Sequence, residues 1–330
     1  MKSIKELQTI RPLQPDDLFV VCSSFEDRCL GSIKLLSNYC AKSTIIINFF
    51  SDSNVEGEKK KREATSYLLK NIRSIDAARM PRMISVGPYN YPELINEIQN
   101  ELALRGIQED NIYATIDISC FTKIQLLFLL KHLIEKNSTG KIRLIYTLPE
   151  SYNTSGDKFH RLSIGFYRPI SIPFKIRMRD GADILKKVAI LQIGHEGERI
   201  SSVWRNLEVN KILILNPTSD DKTLMKSSED ANSILLRRAK SGEPLYKVAK
   251  CDRLDINRAI RLIKEFCDQE RKNGNTLVSI IPLGPKPLAI ASLLCAISQE
   301  NLSFEVSYAI PTGYNSEYSK GIREVFEYMI

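Results

Sequence analysis

The chain has 330 residues, of which 43% are hydrophobic and 26% charged, and its 47 Lys and Arg outnumber its 39 Asp and Glu. These proportions exclude a disordered chain, and no apolar run is long enough for a membrane span. The length suits two ordinary domains, and a formal charge of +8 favours polyanionic partners such as nucleotides, oligonucleotides or nucleic acid.

The stretch up to Leu18 is charged, holds Pro12 and Pro15 and lacks an apolar core, so no secretory signal is expected. The seven cysteines are odd in number and form no CxxC pair. They read as buried thiols of a cytoplasmic protein. The three histidines, His132, His160 and His195, have no partners at ligand spacing, so neither a metal nor a cofactor is expected.

Leu18–Cys22 is a short apolar run that stops at Ser23-Ser24. The polar Phe25-Glu26-Asp27-Arg28 cluster then opens an apolar-periodic segment, Cys29–Leu36, expected to be helical. A buried strand, a small-residue turn and a helix make the first βα unit of a doubly wound sheet. Ser43–Phe50 is almost wholly apolar, as a strand covered on both faces should be. Ser51–Asn54 reads as a turn, followed by a charged helix to about Ile75 whose Glu58-Lys59-Lys60-Lys61-Arg62 run reads as a solvated face. Met83–Val86 is a weak strand, Gly87-Pro88 a loop and Tyr91–Leu104 a helix with Pro92 in its first turn. Asn111–Ile118 is a strand, Ser119–Lys123 a turn, Ile124–Glu135 a buried helix and Lys141–Leu148 a fifth strand.

Between Asn153 and Asp183 the rhythm breaks into Gly- and Pro-containing pieces such as Leu162–Tyr167 and Ser171–Ile176, expected to be an irregular crossover or small hairpin. The pattern then restarts. Strands are expected at Lys187–Ile193, Lys211–Leu215, Leu245–Val248, Asn275–Ile281 and Phe304–Ala309. Helices are expected at Arg199–Leu207, Ser227–Lys240, Asp255–Asn273, Leu288–Ser298 and, at the end, Glu317–Met329. Asp255 suits an N-cap, and Gly274 suits the position after a helix.

The halves match in order. Tyr146–Asn153 resembles Tyr308–Asn315, Arg28 corresponds to Arg199, and Lys123 to Lys286. Such matches in the same order argue for duplication. The expected fold class is therefore α/β, with two pseudo-repeated Rossmann-like domains of doubly wound, mostly parallel sheet: 1-153 and 185-330, joined by a crossover at 154-184.

No GxGxxG, P-loop or GxSxG motif is present. Open α/β sheets bind ligands beyond the carboxyl ends of their strands, so the turns supply the candidates. A cleft shared by the halves would collect Glu26, Arg28, Lys123, Arg199 and Lys286, charges that suit phosphate. Arg28 and Arg199 suit equally well structural pairs with Glu26, Asp27, Glu196 or Glu198. Ser24, Phe25, Ser119, Thr122, His195 and Gly284 complete the ligand-binding set, and Tyr152 and Tyr314 occupy matched loops. Phe25 and Phe121 suit either base stacking or core packing. Glu26, Asp117 and His195 are the candidates for acid–base chemistry. Asp117, at the end of a buried strand, either caps the following turn or serves a site.

The strand, small polar turn, later strand, Thr/Pro–Lys turn and buried helix resemble the CRISPR-associated Rossmann-fold (CARF) sensors and the related SAVED domains. In those families the two turns contact cyclic oligonucleotides. The resemblance puts Ser23–Arg28 and Gly194–Arg199 in the first turn, and Ser119–Lys123 and Leu283–Lys286 in the second. It implies nucleotide or cyclic-oligonucleotide sensing in prokaryotic antiviral defence or stress signalling, with a protein partner or as a homodimer. The chain departs from many members in showing no recognisable nuclease or helix-turn-helix domain. Two alternatives stand beside this: a TIR-like or deoxyribosyltransferase-like hydrolase acting on a nucleotide or nucleoside, and a scaffold subunit of a defence complex. Direct binding of long DNA or RNA comes behind them.

Overall fold

A computed structural model of the chain describes residues 1–49, 55–77, 80–153, 163–177, 186–271 and 275–330. In chain order the elements are β1 (Lys2–Ser3), β2 (Asp16–Ser23), β3 (Ala41–Phe49), α1 (Val55–Ile72), β4 (Arg82–Val86), α2 (Tyr91–Leu104), β5 (Tyr113–Asp117), α3 (Lys123–Lys136), β6 (Lys141–Leu148) and β7 (Ser151–Tyr152). There follow β8 (Ser163–Lys175), β9 (Lys186–Gln192), α4 (Gly197–Trp204), β10 (Lys211–Thr218), α5 (Lys222–Ala231), α6 (Ser233–Lys240), β11 (Tyr246–Asp252) and α7 (Ile256–Glu270). The last are β12 (Thr276–Pro282), α8 (Lys286–Ser298), β13 (Ser303–Tyr314), β14 (Ser319–Lys320) and β15 (Glu324–Met329). None of the described helices is long and apolar enough to cross a membrane.

The chain forms two compact units, Met1–Asn153 with Gly313–Ile330, and Thr154–Thr312. The first unit is built on a sheet of order β1-β15-β6-β5-β2-β3-β4. Strands β2 to β6 run parallel, β15 runs antiparallel to β6, and β1 antiparallel to β15. One face carries a core of Phe19, Val21, Ile46, Leu68, Ile72 and Val325, so α1 and the N-terminal segment cover it. Alternation sends Val20, Ile45 and Ile47 to the other face, and these are equally buried.

The second unit is built on a sheet of order β11-β10-β9-β12-β13-β8. Strands β9 to β13 pair in parallel. Along β8 and β13 the partners run in opposite directions, with Phe166 bonded to Thr312, Ser171 to Ser307 and Arg177 to Ser303. Its five parallel strands thus follow the order of β4-β3-β2-β5-β6, with an antiparallel sixth beside the fifth. The α/β class with two Rossmann-like sheets is what the sequence led one to expect.

Four elements differ from expectation. Glu317–Met329, expected as a helix, forms β14 and β15, and Val325, Phe326 and Tyr328 are buried beside β6. The C-terminal stretch therefore completes the first unit, not the second. Part of the expected crossover is β8, the edge strand of the second unit. An edge position tolerates its Pro169 and Pro173, which have no N–H to give. Lys175 ends it by donating to the carbonyls of Ala296, Ile297 and Gln299 at the end of α8. Cys29–Leu36 forms two 3-10 turns, Asp27–Leu30 and Ile33–Leu35, instead of one helix. Gly31 lies between them against Thr147, where any Cβ would fall 2.1 Å from the threonine hydroxyl.

The expected Ser227–Lys240 helix is likewise two helices, α5 and α6, meeting at Asn232. The Asp255 cap is present and accepts from the Arg258 amide at 2.9 Å. The expected Ser51–Asn54 turn, the Gly274 position, Leu162 and His160 lie outside the described residues.

Phe326 tests the C-terminal strand. Its truncation in Phe326→Ala should cost about 3 kcal/mol in urea unfolding. A loss below about 1 kcal/mol would mean that β15 is peripheral to the first unit.

Candidate functional site

In the first unit β2 and β5 are parallel neighbours, paired from Leu18 opposite Ala114 to Val20 opposite Ile116. The chain leaves β2 toward β3 and β4, then returns to the opposite side of β2 as β5. This is the topological switch point, where the connections diverge and leave a crevice at the carboxyl ends. The turns after β2 and β5 meet there. Ser24, Phe25, Glu26 and Arg28 follow β2 and Ser119, Thr122 and Lys123 follow β5, and Ser32 Oγ links the two segments by donating to Asp117.

Much of this cluster is engaged. Arg28 is 4% exposed and donates to Glu26 Oε2 from Nη2 at 2.5 Å and from Nε at 3.1 Å. Ser319 Oγ donates to the same oxygen at 2.6 Å. Asp117 is 1% exposed and accepts from Ser32 Oγ at 2.5 Å and from the Ser119 amide at 2.9 Å. Burial pushes its carboxyl above the usual range, against the opposing pull of these hydrogen bonds. Of its two sequence readings, the structure displays the turn cap. Ser119 Oγ in turn accepts from the Thr147 amide at 2.9 Å.

Thr122 caps α3, accepting from Gln125 N and donating to the Pro88 carbonyl at 2.6 Å. Lys123 opens that helix and is half-buried, as are Ser24 and Phe25. Phe121 is buried edge-on against Phe49, with ring centroids 5.9 Å apart, so it packs the core. Tyr152 packs on Tyr318, and Tyr314 bonds Tyr89 through their hydroxyls at 2.5 Å.

Sequence reasoning missed Lys61. Within a run expected to be solvated, it is 7% exposed, and its ammonium donates to the Phe49 carbonyl at the end of β3. Burial holds that ammonium below its usual pKa. The available signal was helical phase, since Gly57, Lys61, Leu68 and Ile72 share one buried stripe of α1.

The second unit repeats the arrangement. β9 pairs in parallel with β12, so the turn holding Gly194 and His195 meets the turn holding Gly284 and Lys286. The two backbones touch. A Cβ on Gly284 would lie 2.7 Å from the Ile193 carbonyl oxygen, which is why glycine stands there. Arg199 is 1% exposed, donates to Glu196 at 3.0 Å and to the Ala309 carbonyl at 2.9 Å, and lies over the Tyr308 ring. Glu196 also accepts from the amide and hydroxyl of Ser163.

Lys286 is the first residue of α8 and is half-buried. Asn232 donates to the Gly194 carbonyl at 2.7 Å and so fixes the first turn. Beside it, Gly197, Glu198, Ser201, Asp230 and Asn232 line an open pocket. The carboxylates there disfavour a phosphate.

No protein-family model and no curated protein matches the sequence.

The sequence candidates thus fall into two sets, one per unit. Arg28 and Arg199 occupy buried ion pairs, the structural alternative left open by the sequence. Removing one partner of such a pair leaves an uncompensated buried charge. Arg28→Ala should therefore lower stability by about 3 kcal/mol in chemical denaturation. A change under about 1 kcal/mol would show that Arg28 is a solvated side chain.

Burial also pushes the half-buried His195 down to about 4 from its usual 6.5. Below pH 6.5 the unfolded chain then takes up a proton that the folded chain refuses. Stability from this residue is complete above pH 6.5 and is lost as the pH falls toward 4. His195→Gln should flatten the decline of Tm over that interval. An unchanged pH profile would place His195 in water.

Proposed function

We propose that the first unit's switch point is a nucleotide-binding site, and that the protein senses a nucleotide or cyclic oligonucleotide. The observation that carries this reading is the juxtaposition of the β2 and β5 turns. It puts Ser24 and Phe25 on one turn and Thr122 and Lys123 on the neighbouring one, at the carboxyl edge of a parallel sheet. Lys123 stands at the start of a 14-residue helix, where the dipole and the first backbone N–H groups favour a phosphate. Phe25 offers a face to a base. The duplicated scaffold supports a two-part or cyclic ligand.

Binding is favoured over hydrolysis because the candidate acids are already committed. Glu26 neutralises Arg28, and Asp117 holds two serines. The biological setting we propose is a prokaryotic defence or stress response, with a protein partner that executes the output.

Calorimetry with ATP, NAD and cyclic oligoadenylates tests the reading. At least one should bind in the micromolar range, and Lys123→Ala should weaken that ligand by about tenfold, the worth of one charge-assisted hydrogen bond. The reading is overturned if none of the panel binds, or if Lys123→Ala leaves the affinity intact.

A further inference from the structure

The same carboxyl edge carries a second feature. After Gly313 the chain crosses the first unit's sheet from one side toward the other. Tyr314 bonds Tyr89, which follows β4. Glu317 pairs with Lys60 near the start of α1, which follows β3. Ser319 bonds Glu26, and the Gly321 amide bonds Asp27 at 2.7 Å, both after β2. Ser319 and Lys320 pair with β7, and the Arg323 amide reaches the Leu148 carbonyl at the end of β6. The contacts thus fall in the sheet order β4, β3, β2, β6. Only then does the chain turn down as β15.

This crossing lies over the turn after β2, one of the two assigned to the ligand. Ser316 and Ser319 are turned inward and buried, and Glu26 and Arg28 are buried with them. Its anchorage differs from that of the strand it leads into. β15 is held by a six-residue ladder and by buried Val325, Phe326 and Tyr328. The crossing has a two-residue ladder extended by the Asn153 amide on the Tyr318 carbonyl, its buried residues are serines, and its half-buried Tyr318 packs edge-on against Tyr152. Its outer fastening, Lys60–Glu317, joins groups that are 35% and 40% exposed, an ion pair of the weak, water-screened kind. Segments held by few apolar contacts and exposed polar ones open locally, well below the global unfolding limit. Glycines stand at both ends, and Gly321 is in the left-handed region at φ 70°.

We infer that Tyr314–Lys320 is a strap that closes the first unit's site, with Lys60–Glu317 and Tyr89–Tyr314 as its latch and Gly313 and Gly321 as its hinges. Ligand entry requires the latch to release and the strap to lift, while β15 stays paired. The identity of the ligand rests on the nucleotide reading above; the existence of the strap does not.

The test uses the full chain and the double variant Lys60→Ala/Tyr89→Phe, neither position being assigned to ligand. Hydrogen exchange is read for amides 314–321, with those of β15 as the internal control. The strap predicts about tenfold faster exchange at 314–321 in the variant and no change in β15. Equal exchange in both proteins, or equal acceleration in β15, overturns it. ATP and a cyclic tetra-adenylate are then added in a stopped-flow measurement of association. Faster association in the variant, by a factor matching the exchange, supports gating. Faster exchange with an unchanged association rate overturns gating. Faster exchange with no binding to either protein sustains the strap and overturns the nucleotide reading instead.

Discussion

A buried carboxylate that neutralises an arginine and also receives a serine from a distant stretch of chain recurs in both units. In the first unit Glu26 holds Arg28 and Ser319. In the second Glu196 holds Arg199 and Ser163. Each serine belongs to the segment that delivers the antiparallel sixth strand of that sheet. Ser163 begins β8, and Ser319 precedes β15 by a few residues. A buried guanidinium is tolerable only when its charge is met. Once met, the spare lone pairs of the carboxylate become a specific receptor for a hydroxyl. The turns after β2 and β9 are thereby fixed to the segments that bring in the antiparallel strands.

This arrangement explains why two arginines that looked like ligand contacts lie in the interior. The turn that presents Ser24 and Phe25 is shaped by what Arg28 does behind it. The same holds at His195, where Arg199 and Asn232 set the turn from opposite sides. Preorganised turns of this kind suit recognition, because a ligand meets groups that are already in place.

The central parallel strands were legible because they are covered on both faces and so read as largely apolar runs, as Ser43–Phe49 and Asn275–Ile281 do. Helix caps at Thr122 and Asp255 were legible from local chemistry. Pairings between remote segments were not. Val325, Phe326 and Tyr328 have the β-branched or aromatic character of a strand, but the partner that decides the matter, β6, lies far back in the chain. Cys29–Leu36 carries an apolar period, yet the contact of Gly31 with Thr147 leaves two short turns there. Lys61 was hidden among three other cations, and only the phase of Leu68 and Ile72 betrays its inward direction. Of the site, the residue types and turns were readable. Their burial was not, because it depends on Ser163 and Ser319, which no local pattern links to Glu196 and Glu26.

The sixth strands also bear on how the polypeptide matures at the ribosome. Every other strand of the first sheet is synthesised before Asn153, but the neighbour of β6 emerges only with Glu324–Met329. Until then the nascent first unit presents β6 as an open edge, the kind of surface on which stray strands pair. The second sheet has no such delay, since β8 is made before the strand it accompanies. Translation thus finishes the second unit first and completes the first one last, with the final six-residue strand as the closing stitch.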